Sequence, residues 1–277
     1  MQQEEETQQR KEKTPRNRAW GWTGFGGKTG WDWLELLVVP LVLAAGAFWF
    51  NSEQSARQQE TEEYRAERQV AADELRAQEE RLQAYLEQMG NLLIDEGLLN
   101  SQEDDETRYL ARARTLAVLR EADEDQKRIV ISFLAESGLA GSRGGADPVV
   151  SLANANLAGA DLAQVDYLEG TDLTEADLSN ASMPKELDGA NLTRAQLDGA
   201  DLTDVLLRRT YLNDAYLLNA NLKRADLRET DLEGADLTGA DLSGADLEGA
   251  TGVTGEELEE QAASLETATM PDGTKHD

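Results

Sequence analysis

The chain has one histidine, His276, next to its last residue, and no cysteine. Histidine- or thiolate-based metal sites, thiol nucleophiles and imidazole general bases are close to excluded, and so is a disulfide. Gly27-Lys28-Thr29 has the ending of a phosphate-cradling loop. That loop also needs a glycine five residues earlier, where Trp22 stands, and a strand before it and a helix after it. The segment instead reads as a flexible membrane-proximal linker. Carboxylates outnumber Lys and Arg by 55 to 26, a net charge of −29, which argues against nucleic-acid binding through phosphates. No pair of titratable groups converges as acid and base, so neither an enzyme nor a cofactor nor a metal is expected. What remains is contact chemistry. Leu206, Tyr211 and Tyr216 stand where neighbouring units carry Asp or Asn, Leu218 follows, and Arg208 and Arg209 lie beside them with Arg194, Lys223, Arg224 and Arg228. Aromatic residues and Arg are enriched in binding hot spots, so Leu206, Arg208, Arg209, Tyr211, Tyr216 and Leu218 form the candidate surface for an unidentified protein partner. The plainer alternative is that they pack on each other or on the helices upstream.

These residues must be positioned by a repeat. From residue 151 to 250 the sequence recurs every five residues, as in Ala235-Asp236-Leu237 and Ala240-Asp241-Leu242. Five is the wrong period for a helix face. In an extended chain the Leu and the small residue two before it point one way, and the Asp or Asn between them points the other. A Gly-rich pair then turns the corner. Chain that turns the same way after each unit becomes a solenoid with a Leu/Ala core, which single coils cannot bury alone. The twenty centres are Leu152, Leu157, Leu162, Tyr167, Leu173, Leu178, Met183 and Leu187, then every fifth residue from Leu192 to Leu247. Tyr167 to Leu173 is one residue long and Met183 to Leu187 one short, which places Pro184 at a corner and Lys185 inward.

This pattern resembles the pentapeptide repeat family over about a hundred residues. The resemblance implies a right-handed β-helix of square cross-section with four units per coil, hence five coils. Outward residues twenty apart should then stack, in the columns Ser151, Asp172, Asn191, Tyr211, Asp231; Asn156, Asp177, Gln196, Tyr216, Asp236; Asp161, Ser182, Asp201, Asn221, Asp241; and Asp166, Glu186, Leu206, Asp226, Asp246. Only the last places carboxylates on neighbouring strands, where like charges repel.

Upstream, residues 1–30 read as a polar, disordered tail. Residues 31–50 carry no charge from 36 onward and are bracketed by Trp31, Trp33 and Trp49, the aromatic-belt pattern of a transmembrane helix. A lipid bilayer is the expected partner of 31–50, with Glu35 near the headgroups. The chain is expected to be a single-pass membrane protein; nearby Lys and Arg tie on the two sides, so the side facing the solenoid stays open. Residues 51–96 have helix composition and a seven-residue recurrence of Leu75, Leu82 and Met89, with Tyr64, Ala71, Tyr85 and Leu92 on the second seam. This helical stalk either forms a coiled-coil homodimer or packs within its own chain. Two amphipathic helices make a small helical module over 97–140, with Asp123 and Gln126 as a capping pair, and 141–150 is a linker. After the β-helix, assigned to 151–253, Thr254 and Glu257 fit a capping box, and Leu258, Ala262 and Leu265 lie on one face of a capping helix within a C-terminal cap and tail, 254–277. The fold class is therefore mixed, with helices followed by a β-solenoid. The functional expectation is a non-enzymatic, membrane-anchored scaffold for protein contacts. The alternative from a different class is the DNA-mimic regulation of a topoisomerase that some family members perform.

Overall fold

The computed structural model describes residues 30–142 and 147–277, the first seven of them by backbone alone. The expectations for the tail, for Gly27-Lys28-Thr29, for the side chains of Trp31, Trp33 and Glu35, and for residues 143–146 of the linker lie outside the described residues. The chain divides into two compact units, one up to Val70 and the other from Ala71 to Asp277.

Helix α1 spans Gly30–Ile94. Its long run free of Gly and Pro, rich in Ala, Glu, Gln and Arg, favours unbroken helix, and Pro40 is its one proline. In the first unit the expected span is helical, and residues 37–50 are exposed and uncharged. The uncharged run from residue 36 to residue 50, fifteen residues, rises about 22 Å, short of a hydrocarbon core of about 30 Å, and Asn51-Ser52-Glu53 ends it. Among the described residues no helix is long and apolar enough to cross a membrane.

In the second unit the end of α1 packs with α2 (Glu106–Glu121) and α3 (Glu124–Glu136). Tyr85, Met89 and Leu92, three of the expected seam residues, are buried with Leu119, Val130, Ile131 and Leu134. Tyr85 meets Phe133 edge-on at 6.4 Å, and its hydroxyl shares a 3.0 Å hydrogen bond with buried Thr115. This half of the stalk seam is used within its own chain, so the second arrangement holds there and a homodimer finds no support from it. Leu75 stays exposed. The capping box at Asp123 and Gln126 is formed.

The chain leaving α3 lies on the first coil. The Val150 N–H donates to the Leu139 carbonyl and the Ser142 N–H to that of Glu169. Arg112 Nη2 donates to the Ala153 carbonyl at 2.9 Å. Buried Lys127 donates to Asn156 Oδ1 and the Ala158 carbonyl; burial lowers its pKa against the opposing pull of Asp177, Glu124 and Asp123. One apolar core runs from Tyr85 through Val150 to Met270. The helices therefore close the N-terminal end of the solenoid.

The expected columns are observed as parallel pairs, except that Ser151 and Asp166, the first members of two of them, form none: Asp172–Asn191–Tyr211–Asp231, Asn156–Asp177–Gln196–Tyr216–Asp236, Asp161–Ser182–Asp201–Asn221–Asp241 and Glu186–Leu206–Asp226–Asp246. The central Leu of each unit and the Ala two before it are buried, Ala235 alone being half-buried. In each Leu-centred unit the residue three after the Leu donates back to the Leu carbonyl, as Ala155 does to Leu152; the Met183 unit lacks this bond. The residue before the donor has positive φ, as at Asn154, Gly159 and Glu175, except in the Leu162 unit. This is the type II turn, which favours Gly or Asn there.

Three expectations are corrected. Tyr167 is not a centre: it is 64% exposed with φ +66, and Leu168 is buried in its place. The long step therefore runs from Leu162 to Leu168, because only one of two adjacent apolar residues can face in. Lys185 is exposed and Pro184 is buried instead, which spares a charged amine desolvation. At the other end α4 (Gly255–Gln261) has its Thr254 capping box, but it stops before Leu265. The Gln261 side chain and carbonyl accept the N–H groups of Leu237 and Gly239, so α4 lies over one strand edge. The chain then resumes the solenoid at Ser264 and Thr269, paired to Asp241 and Asp246, and folds back through an antiparallel pairing of Thr269 with Lys275. Leu265 is buried in that added coil.

Candidate functional site

The twenty-residue coil places Leu206, Tyr211, Tyr216 and Leu218 on one rung but not on one face. Leu206 belongs to the column of Asp226, Tyr211 to that of Asp231 and Tyr216 to that of Asp236. Leu206 is half-buried. Tyr211, Tyr216 and Leu218 are 53%, 51% and 41% exposed. Tyr211 and Tyr216 flank a single corner, whose positive-φ residue is Asp214, and Leu218 follows on the far side of Tyr216. The alternative that these side chains pack away is met only by Leu206.

The arginines are arranged differently from expectation. Arg208 pairs with Asp188 and lies 3.8 Å from Asp226; Arg209 donates to Glu229 at 2.8 Å. Arg224 forks onto both oxygens of Asp204 at 2.7 and 2.6 Å. Lys223 reaches Asp241 at 3.0 Å, and Arg194 pairs with Glu175. Arg228 spans Asp226 at 2.5 Å and Asp246 at 3.6 Å, neutralising the one place where the ladder stacks two aspartates. Hydrogen bonds from Arg228, Arg224 and Arg209 hold the carboxyls of Asp226, Asp204 and Glu229 below their ordinary range. These cations clamp one coil to the next, so the rung is aromatic without being basic.

The same column has an unrelieved spot at Glu186. A hydrogen bond to Glu169 and that group's charge, with burial, Asp166 and Asp188 adding, raise its pKa. A carboxyl whose folded pKa is raised is penalised once ionised. Stability is therefore lost as pH rises through and beyond the ordinary value of 4.5. Glu186→Gln is expected to raise the melting temperature at pH 7, with the gain fading below pH 4.5. Melts of both proteins across pH 3–8 check this, and an unchanged or lowered value at pH 7 refutes it.

Two features escaped sequence reasoning. A cleft of about 700 Å³ lies between α2 and the column of Asp172, lined by Arg108, Tyr109, Arg112, Pro148, Val149 and Tyr211 among others. Nothing local in the sequence pairs residue 109 with 211. The other feature is Glu233, at the corner between Asp231 and Asp236 on the next rung beside the tyrosines. The columns set the two aspartates against the tyrosines, and the same twenty-residue period would have found Glu233.

Residues 150–185, 186–217 and 215–251 match pentapeptide repeats, in eight copies. No curated protein matches the chain. Among solved structures it is similar to the pentapeptide repeat protein Rfr23 of the cyanobacterium Cyanothece 51142, at 36% identity over 31% of this chain and 63% of that one, with a TM-score of 0.24. A pentapeptide repeat protein of the Arabidopsis thaliana thylakoid lumen is 29% identical over 34% of this chain and 57% of that one, with a TM-score of 0.18. HetL, involved in heterocyst differentiation regulation in Nostoc, is 30% identical over 46% and 79%, with a TM-score of 0.20. The chain spans about three fifths of the length of the first two. With its repeat copies matched in sequence and every column of the coil paired as that repeat requires, the chain belongs to the pentapeptide repeat family.

Proposed function

We propose that the protein is a non-enzymatic scaffold, tethered to lipid by the apolar start of α1, whose solenoid engages a protein partner through Tyr211, Tyr216 and Leu218. The observation that carries this reading is the exposure of two tyrosines and a leucine on a rung otherwise walled by polar side chains. Isolated exposed apolar residues are ordinary; aromatic ones gathered around a corner of a rigid rod are the anchors that interfaces use. The tether rests on residues 37–50, exposed and apolar on every side of the helix. That segment, with the tryptophans before it, is expected to partition into a bilayer, and confinement there raises the solenoid's effective concentration for membrane neighbours. Mimicry of DNA on a topoisomerase has less support. In the first two columns the carboxylates stand three coils apart and in the third two, about 14 Å and 10 Å, whereas one DNA strand carries a phosphate every 3.4 Å or so.

In-cell proximity labelling from the C-terminus tests the reading. The full-length protein is expected to label membrane neighbours, and Tyr211→Asp with Tyr216→Asp to lose a subset of them at equal abundance. An unchanged set would make the rung inert, and a wholly soluble set would remove the tether.

A further inference from the structure

We infer that the corner carrying Tyr211 and Tyr216 takes a cationic polypeptide segment, with arginine preferred over lysine. This rests on the reading of that corner as a partner surface and adds what kind of partner it fits. Arg208, Arg224, Arg209 and Arg228 are spent on coil-to-coil ion pairs with Asp188, Asp204, Glu229 and Asp246, on other corners. Arg194, one coil below Asp214 on the tyrosine corner, is spent on Glu175, and the carboxylates beside the rings stay unmatched. Asp214 sits at the turn between the rings, and the rung above sets Asp231 beside Tyr211 and Asp236 beside Tyr216, with Glu233 between. Among the described residues none of Asp214, Asp231, Glu233 and Asp236 forms an ion pair with Lys or Arg. Their contacts are local: Asp231 and Asp236 accept the N–H groups of Glu233 and Thr238 two residues on. Asp214, Glu233 and Asp236 are exposed. Two half-exposed rings astride four carboxylates offer a cation what it seeks in an interface. The ring faces attract a guanidinium or ammonium, and the acids draw it in and hold it. A planar guanidinium stacks on a ring while it forks onto a carboxylate; an ammonium does not.

The test uses the purified full-length chain in non-ionic detergent, with fluorescein-labelled nona-arginine, nona-lysine and nona-glutamate read by anisotropy. Nona-arginine is expected to bind more tightly than nona-lysine, and nona-glutamate not at all. Tyr211→Ser with Tyr216→Ser, which leaves the net charge unchanged, should weaken nona-arginine roughly fivefold or more. Asp214→Asn with Asp236→Asn should weaken it more than Asp201→Asn with Asp241→Asn, an equal loss of charge on another column. Melting curves confirm that each variant is folded. Equal losses in the two aspartate pairs, or an unaffected tyrosine variant, would reduce the binding to general acidity and overturn the inference. Labelling of neighbours that still depends on Tyr211 and Tyr216 would, in that case, leave the partner surface standing with an uncharged partner.

Discussion

A chain that begins at Asp147 is expected to aggregate, whereas one that begins at Ala71 is expected to stay soluble and melt cooperatively. The repeats end at a strand edge whose backbone groups would be unpaired, a template for association with other chains. In the intact protein that end is closed. The Val150 N–H and the Ala153 and Ala158 carbonyls are satisfied by Leu139, Arg112 and Lys127. Leu152, Leu157 and Leu162 of the first coil share one core with Val130, Ile131 and Leu134 of α3. Each leucine uncovered forfeits about 1.5–3 kcal/mol, and a solenoid cannot spread that loss, since each coil leans only on its neighbours. Size-exclusion chromatography and circular dichroism of the two fragments decide the matter. A fragment from Asp147 that elutes cleanly and melts where the longer one does would show that the helices are an appendage and no cap.

The architecture was legible because the repeat leaves little choice. With a period of five and four units per coil, Tyr211 must lie against Asp231 and Tyr216 against Asp236, as they do. Legibility failed where the pattern offers two answers. Tyr167 and Leu168 are adjacent and both apolar, and the longer step between coils can be placed before either; burial settled on the residue with no hydroxyl to satisfy. Leu258, Ala262 and Leu265 have helical spacing, yet the helix stops at Gln261 because the Ala263 N–H returns to the ladder at the Ala240 carbonyl. The candidate surface was legible as exposed aromatics, but its charge was misread. Arg208 and Arg209 look free along the chain, and their partners lie twenty residues away, at Asp188 and Glu229. A pair separated by a whole coil leaves no trace in local composition.

The sharpest test of the inside–outside assignment uses two neighbouring leucines. Leu207→Ala is expected to cost about 2–5 kcal/mol, the usual range for emptying a packed apolar site, because its side chain is fully buried. Leu206→Ala is expected to cost clearly less, about 1 kcal/mol, since that side chain points to the outer surface and is only half-buried. The residues are chemically identical and adjacent, so propensity and unfolded-state effects cancel to first order, leaving the direction each side chain takes from the pleat. A one-residue slip of register would exchange the two faces and reverse the order. Leu207 also sits in the middle of the stack, between Leu187 and Leu227, and its carbonyl accepts the hydroxyls of both Thr210 and Thr230 at 2.7 Å. A cavity there weakens the coupling between the coils on either side. Urea melts of Leu207→Ala should therefore show a lower midpoint and a broader transition than wild type, while Leu206→Ala keeps the wild-type slope. Equal midpoints for the two variants would mean that the leucines at 206 and 207 share one environment, and the coil assigned here would be wrong at that rung.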